Sequence, residues 1–153
     1  MKTLIDIIEG LKIGSKTKVN TYSCQPKDKN ELRSIINERL KKDKDANLND
    51  IDVSEITDMS NLFVKLYPYN IDISEWDVSK VTNMSYMFNG CDNFNCDLSN
   101  WDVSNVTDMK CMFNGCHKFN QDISKWDVSN VIDMKYMFFW CDSLKNKPSW
   151  YKE

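Results

Sequence analysis

One histidine, four glycines and three prolines are all that this 153-residue chain holds of those types, and each scarcity removes a class of explanation. Around the single imidazole, His117, no nucleophile–base–orienter set can be assembled. No glycine-rich loop is available to cradle a phosphate. Basic residues do not exceed acidic ones, the formal net charge being -3, so the composition lacks the basic face that nucleic-acid binding requires. No apolar run approaches the roughly 18 residues of a membrane span. The opening MKTLIDIIEGLKIG is interrupted by Asp6 and Glu9 and has no small-residue cleavage site, so it does not read as a signal peptide. The chain as written is expected to be cytoplasmic; removal of an export signal would place it at the surface or outside the cell.

What is present is a repeat. A 25-residue unit runs four times in register, over 51–75, 76–100, 101–125 and 126–150. The two middle copies read WDVSKVTNMSYMFNGCDNFNCDLSN and WDVSNVTDMKCMFNGCHKFNQDISK. A period of this length marks units that stack on their neighbours. Two regions follow: an N-terminal cap over 1–50 and the four-repeat array over 51–150. In the cap, Leu4, Ile5, Ile7, Ile8 and Leu11 predict a short helix ending near Gly10 to Gly14, and 18–24 has strand character. A clearer helix is predicted over about 29–43. It starts on a capping box of Asp28 and Glu31 and carries the stripe Leu32, Ile35, Ile36, Leu40.

Within the second copy, Val81, Met84, Met87, Phe88 and Cys91 fall at helical spacing, which predicts two to three helical turns closed by Asn89-Gly90. Phe94 and Leu98 then point inward from a short extended segment. The expected architecture is therefore α/β, a leucine-rich-repeat-like solenoid of four 25-residue coils with an N-terminal α/β cap. Trp76, Trp101 and Trp126, led by Ile51, read as a stacked corner, and the methionines of the helical slots as core. Asp52, Asp77, Asp102 and Asp127, and likewise Asp72, Asp97 and Asp122, sit where Asp closes turns on its own backbone. Asn70, Asn95 and Asn120 are expected to stack at another corner, their amides bonding to each other and to backbone. Cys91, Cys116 and Cys141 share a slot with Leu66, the mark of a small buried apolar site.

The fourth repeat departs from this pattern. Lys145, Lys147 and Pro148 replace its strand residues and block further strand addition. Where the middle copies have Asn-Gly, it has Phe139-Trp140.

The motif W-D-V-S-x-V-x-x-M-x-x-M-F, with F-N-x-D-[LI]-S, resembles the repeat of BspA-type leucine-rich-repeat surface proteins over about 47–150. The stretch 26–50, with ELRSIINERL, is similar to the leader of such repeats. The resemblance implies a bacterial or phage origin, a right-handed solenoid and a role in adhesion or protein binding. It brings no catalytic residues with it.

No enzyme activity, cofactor or metal is expected. The spacings Cys91-x4-Cys96 and Cys111-x4-Cys116 superficially suggest a four-thiolate zinc site, but the close C-x2-C spacing is absent. Calcium on the Asp columns lacks the glycines of known Asp-rich β-rolls. The expected function is non-enzymatic protein–protein interaction. The alternative is an intracellular inhibitor, such as a phage counter-defence protein, that occludes a bacterial defence enzyme. Phe139 and Trp140 have two readings, packing in a C-terminal cap or an exposed contact surface. With Tyr86, Tyr136 and His117 from variable slots, they make up the candidate partner-binding set. The same C-terminal aromatic patch offers a route to a homodimer. Neither nucleic acid nor membrane is expected as a partner.

Overall fold

The helix expected after Asp28 forms, and it is the only α-helix among the described residues. A computed structural model describes residues 21–66 and 69–152. The short helix expected over Leu4–Leu11 and the start of the 18–24 strand lie outside them. Helix α1 spans Lys29–Lys42; Asp28 is its N-cap and its carboxylate accepts from the Glu31 N–H at 2.9 Å. The Glu31 carboxylate turns back to the Lys27 N–H at 3.0 Å, so the two residues close the first turn reciprocally. Leu32, Ile36 and Leu40 are buried. The polar side of α1 is tied to the first repeat, where Lys29 Nζ reaches Asp58 Oδ2 at 2.6 Å and Ser60 Oγ at 2.8 Å, and to the end of the cap, where Arg39 forks onto Asp50. Cys24 adds a single parallel bridge to Ile51.

Beyond α1 the expected architecture is corrected. The repeats do not build an α/β leucine-rich-repeat-like solenoid of short helices and a sheet. Among the described residues there is no helix besides α1 and no sheet, only isolated parallel bridges such as Asp58–Asn83, Asn83–Asp108 and Asp108–Asp133. The remainder is turns and irregular backbone. The cause lies in the backbone of the segment that had looked helical. Tyr86 has φ +58°, as do its repeat-mates Asn61 (+59°), Cys111 (+52°) and Tyr136 (+58°). A left-handed residue in the middle of the run stops a right-handed helix. The amides then divide. Met87, Asn89 and Cys91 donate three residues back, to Met84, Tyr86 and Phe88, while Met84, Tyr86, Phe88 and Gly90 donate forward to Asp108, Lys110, Met112 and Asn114 of the next repeat. Three-residue turns keep the same side chains inward as a helix would, so the apolar spacing was satisfied without one.

Each repeat thus forms one turn-built layer bonded to the next. Columns of side chains run through the layers. Phe63, Phe88, Phe113 and Phe138 stack almost parallel, with centroids 5.4, 5.5 and 5.8 Å apart. Phe94 and Phe119 form a second column against it. Trp76, Trp101 and Trp126 are buried, Trp126 stacks on Trp150, and the tryptophans also serve as donors. Each indole N–H bonds a carbonyl 27 or 28 residues earlier: Trp76 to Leu48, Trp101 to Ile73, Trp126 to Leu98 and Trp150 to Ile123, at 2.9–3.2 Å. This satisfies the polar tip of a buried ring.

The polar columns close turns. Asp52, Asp77, Asp102 and Asp127 each accept from the N–H two residues on, as do Asp72, Asp97 and Asp122, the Asx geometry expected of them. The Asn column bonds to backbone as expected: the Asn95 and Asn120 side chains accept backbone N–H groups of the following layer, from Asn120 and Lys145. The cysteine slot is buried as expected and also polar in function. The Cys91, Cys116 and Cys141 thiols donate to the carbonyls of Phe63, Phe88 and Phe113. Burial pushes the Cys91 and Cys141 thiols up to about 12 and Cys116 higher still.

Candidate functional site

Among the described residues the fourth layer, 126–150, has a neighbouring layer on one side only, and its exposed positions are not the polar ones an end layer calls for. Four large apolar side chains lie open: Ile132 is 88% exposed, Tyr136 61%, Trp140 61% and Phe139 48%. Each breaks or ends a column. Ile132 stands in the slot of Thr57, Thr82 and Thr107, Phe139 in that of Asn89 and Asn114, and Trp140 in that of Gly90 and Gly115.

Trp140 occupies the glycine slot with the glycine conformation. Its φ is +58°, against +71° and +74° at Gly90 and Gly115. A bulky residue in this region is strained by roughly 1–3 kcal/mol and persists only where its surroundings over-determine it. They do so here. The Phe139 carbonyl is held by the Gly115 N–H at 2.8 Å, the Cys141 N–H by the Phe138 carbonyl at 3.3 Å, and the Cys141 thiol by the Phe113 carbonyl at 3.0 Å. The left-handed backbone presents the indole outward, where it leans on Phe139 with centroids 4.6 Å apart. Tyr136 meets the other edge of Phe139 at 6.2 Å, ring to edge.

Beside these rings runs a groove of about 590 Å³, lined by Lys135, Tyr136, Phe138, Phe139, Trp140, Lys147 and Tyr151. Its floor is the end of the phenylalanine column, since Phe138 is buried against Tyr151 at 4.9 Å. Lys147 Nζ lies 5.4 Å from the centre of the Tyr151 ring. Both lysines are exposed, and among the described residues no carboxylate lines the groove.

Of the five candidates from the sequence, the structure brings together three: Tyr136, Phe139 and Trp140. Tyr86 is half-buried and lies two layers back on the Tyr136 column, with buried Cys111 between. His117 is partly exposed and pairs through Nδ1 with the Asp142 carboxylate, outside the groove. Sequence reasoning missed the exposure of Ile132 and did not group Lys135 and Lys147 with the rings. Ile132 was detectable as the break in a threonine column; the grouping of the lysines was not, because only folding brings them to one groove. Cys141 lies next to the patch, but its buried thiol, raised to about 12, is no nucleophile at neutral pH. Among the described residues no group of three or more His, Cys, Asp or Glu side chains converges to hold a metal, and no helix is long and apolar enough to cross a membrane.

Comparison with known proteins gives one match. The family model described as "Mycoplasma protein of unknown function, DUF285" covers residues 31–151, from α1 through the last layer. No curated protein and no solved structure matches the chain.

Proposed function

The chain belongs to this Mycoplasma family of unknown function, and from that premise we propose that it is a non-enzymatic protein-binding module whose contact surface is the end layer. The observation that carries the reading is the exposure of Phe139 and Trp140 in slots that hold Asn-Gly in the middle layers. An end layer with no binding role is selected to be polar. Clustered Trp, Tyr and Phe are the side chains that anchor protein interfaces. The likeness of the W-D-V-S-x-V unit to BspA-type surface repeats supports the same role.

The test is affinity capture from a lysate of the native host, with the Phe139→Ser/Trp140→Ser double variant as control. A single protein captured by the wild type and lost by the still-folded variant supports the module. If that protein were a nuclease or another defence enzyme, inhibition by occlusion would be its form. Sedimentation of the purified chain tests the homodimer: self-association abolished by the double variant would make a second copy the partner. Identical capture by both proteins, with monomeric sedimentation, sinks the reading.

A further inference from the structure

The forward hydrogen bonds between layers are aligned, and their alignment leaves one end of the molecule electropositive. In the first layer the amides of Met59, Asn61, Phe63 and Lys65 donate to the carbonyls of Asn83, Ser85, Met87 and Asn89. Each of those carbonyls shares a peptide group with the next donor, namely Met84, Tyr86, Phe88 and Gly90. These donate to Asp108, Lys110, Met112 and Asn114, and the amides of Met109, Cys111, Phe113 and Gly115 pass the sequence on to Asp133, Lys135, Met137 and Phe139. All twelve bonds measure 2.8–3.0 Å. Four chains of hydrogen-bonded peptide groups therefore run side by side through the stack, every N–H toward the fourth layer. The arrangement is that of a helix, whose aligned peptides leave a partial positive charge at the end with unbonded N–H groups. Two other columns run the opposite way, from Ile132 to Thr107, Thr82 and Thr57, and from Ser143 to His117 and Lys118 to Asp92.

The four chains end at the amides of Met134, Tyr136, Phe138 and Trp140. Among the described residues these amides have no hydrogen-bond partner. The carbonyls between them are occupied: Met134, Tyr136 and Phe138 accept from Met137, Phe139 and Cys141. This stretch of the edge is therefore a row of donors without acceptors. Inside the stack such a row is met by backbone carbonyls of the following layer. Carboxylates are acceptors too, and add the negative charge that a row of donors favours. Lys135 and Lys147 stand at the same groove, no carboxylate lines it among the described residues, and the rings of Tyr136, Phe139 and Trp140 supply the apolar wall. We propose that this edge binds an acidic peptide segment of a partner protein, carboxylates on the amide row and the two lysines, apolar side chains on the exposed rings. The inference rests on the protein-binding reading and specifies the chemistry of the partner.

The test uses the full chain and blocked synthetic peptides in which leucine alternates with glutamate, glutamine or lysine, read by calorimetry and by ¹⁵N–¹H spectra. The glutamate peptide is expected to bind roughly tenfold more tightly than the glutamine one, and less tightly as salt is raised. The amide signals of Met134, Tyr136, Phe138 and Trp140 should move on binding. Lys135→Glu with Lys147→Glu should remove the preference for glutamate and favour the lysine peptide; Lys135→Gln with Lys147→Gln should weaken it without reversal. Equal binding of glutamate and glutamine peptides, lost in the Phe139→Ser/Trp140→Ser variant, would overturn the acidic partner and leave the interaction surface standing. Binding of no peptide, or binding that leaves those four amides unmoved, would overturn the inference.

Discussion

The third and fourth layers, 101–125 and 126–150, are built from nearly the same residues, yet they answer to different constraints. In the third, Trp101, Phe113, Cys116 and Phe119 are all buried, sealed by a layer above and one below, and the turn ends on Asn114-Gly115. In the fourth, Val131, Met134, Leu144 and Trp150 are only partly buried, and the turn ends on Phe139-Trp140. Both turns have the same backbone, φ +74° at Gly115 and +58° at Trp140. Layer geometry thus comes from the hydrogen bonds to the preceding layer, which both share, whereas side-chain identity at the turn is free to change once no layer follows.

The comparison breaks most visibly at the phenylalanine column. Phe113→Ala removes a fully buried ring stacked on Phe88, Phe119 and Phe138. It should destabilise by about 3–5 kcal/mol in a denaturant titration, whereas Phe138→Ala, at the end of the column, should cost clearly less. Equal losses would mean that Tyr151 and Trp150 seal the fourth layer as well as a fifth layer would. Next in size is Trp101→Phe, which keeps an aromatic ring but strips the Ile73 carbonyl of its indole donor at 3.2 Å. A loss of about 1–3 kcal/mol is expected, from the unmade bond and the smaller ring.

The turn slot gives opposite signs in the two layers. Gly115→Ala should destabilise by about 1 kcal/mol or more, because the residue is left-handed and an added Cβ would sit 3.4 Å from the Gly90 Cα. Trp140→Gly should be neutral or stabilising by about 1 kcal/mol, since strain is relieved and only an exposed ring is lost. A loss at Trp140 as large as that at Gly115, measured by thermal melting, would make the indole a structural cap. The smallest effect is with acid. The Arg39 guanidinium holds Asp50 below the usual carboxylate range, and the Ser99 and Ser104 hydrogen bonds do the same for Asp97 and Asp102. A lowered carboxylate stabilises fully above its unfolded value near pH 4 and loses that contribution as pH falls through its folded value. Stability should therefore be flat from about pH 6 to 8 and decline below about pH 4.

Much of this was legible from residues alone. Trp76, Trp101 and Trp126 recur at a spacing that placed them in one column, Asp52 and Asp77 announced their turns, and Asp28, Glu31 and the Leu32–Ile36–Leu40 stripe specified α1. The backbone of the repeat was not legible. Apolar residues three and four apart suit a helix and a chain of three-residue turns alike, and the decisive left-handed position is filled by Asn61, Tyr86, Cys111 and Tyr136, types that carry no shared signal for it. The patch was half visible: Phe139 and Trp140 stood out against Asn-Gly, while the amide row and the paired lysines exist only once the layers are bonded.

The forward bonds also determine how the molecule yields to force. They lie along the stack axis, so tension applied between α1 and Tyr151 loads the four bonds of each junction together and the junctions in series. The chain should then lengthen in discrete steps, one layer at a time, each releasing 25 residues, roughly 85 Å of contour. Under tension such a stack is expected to surrender length in fixed increments.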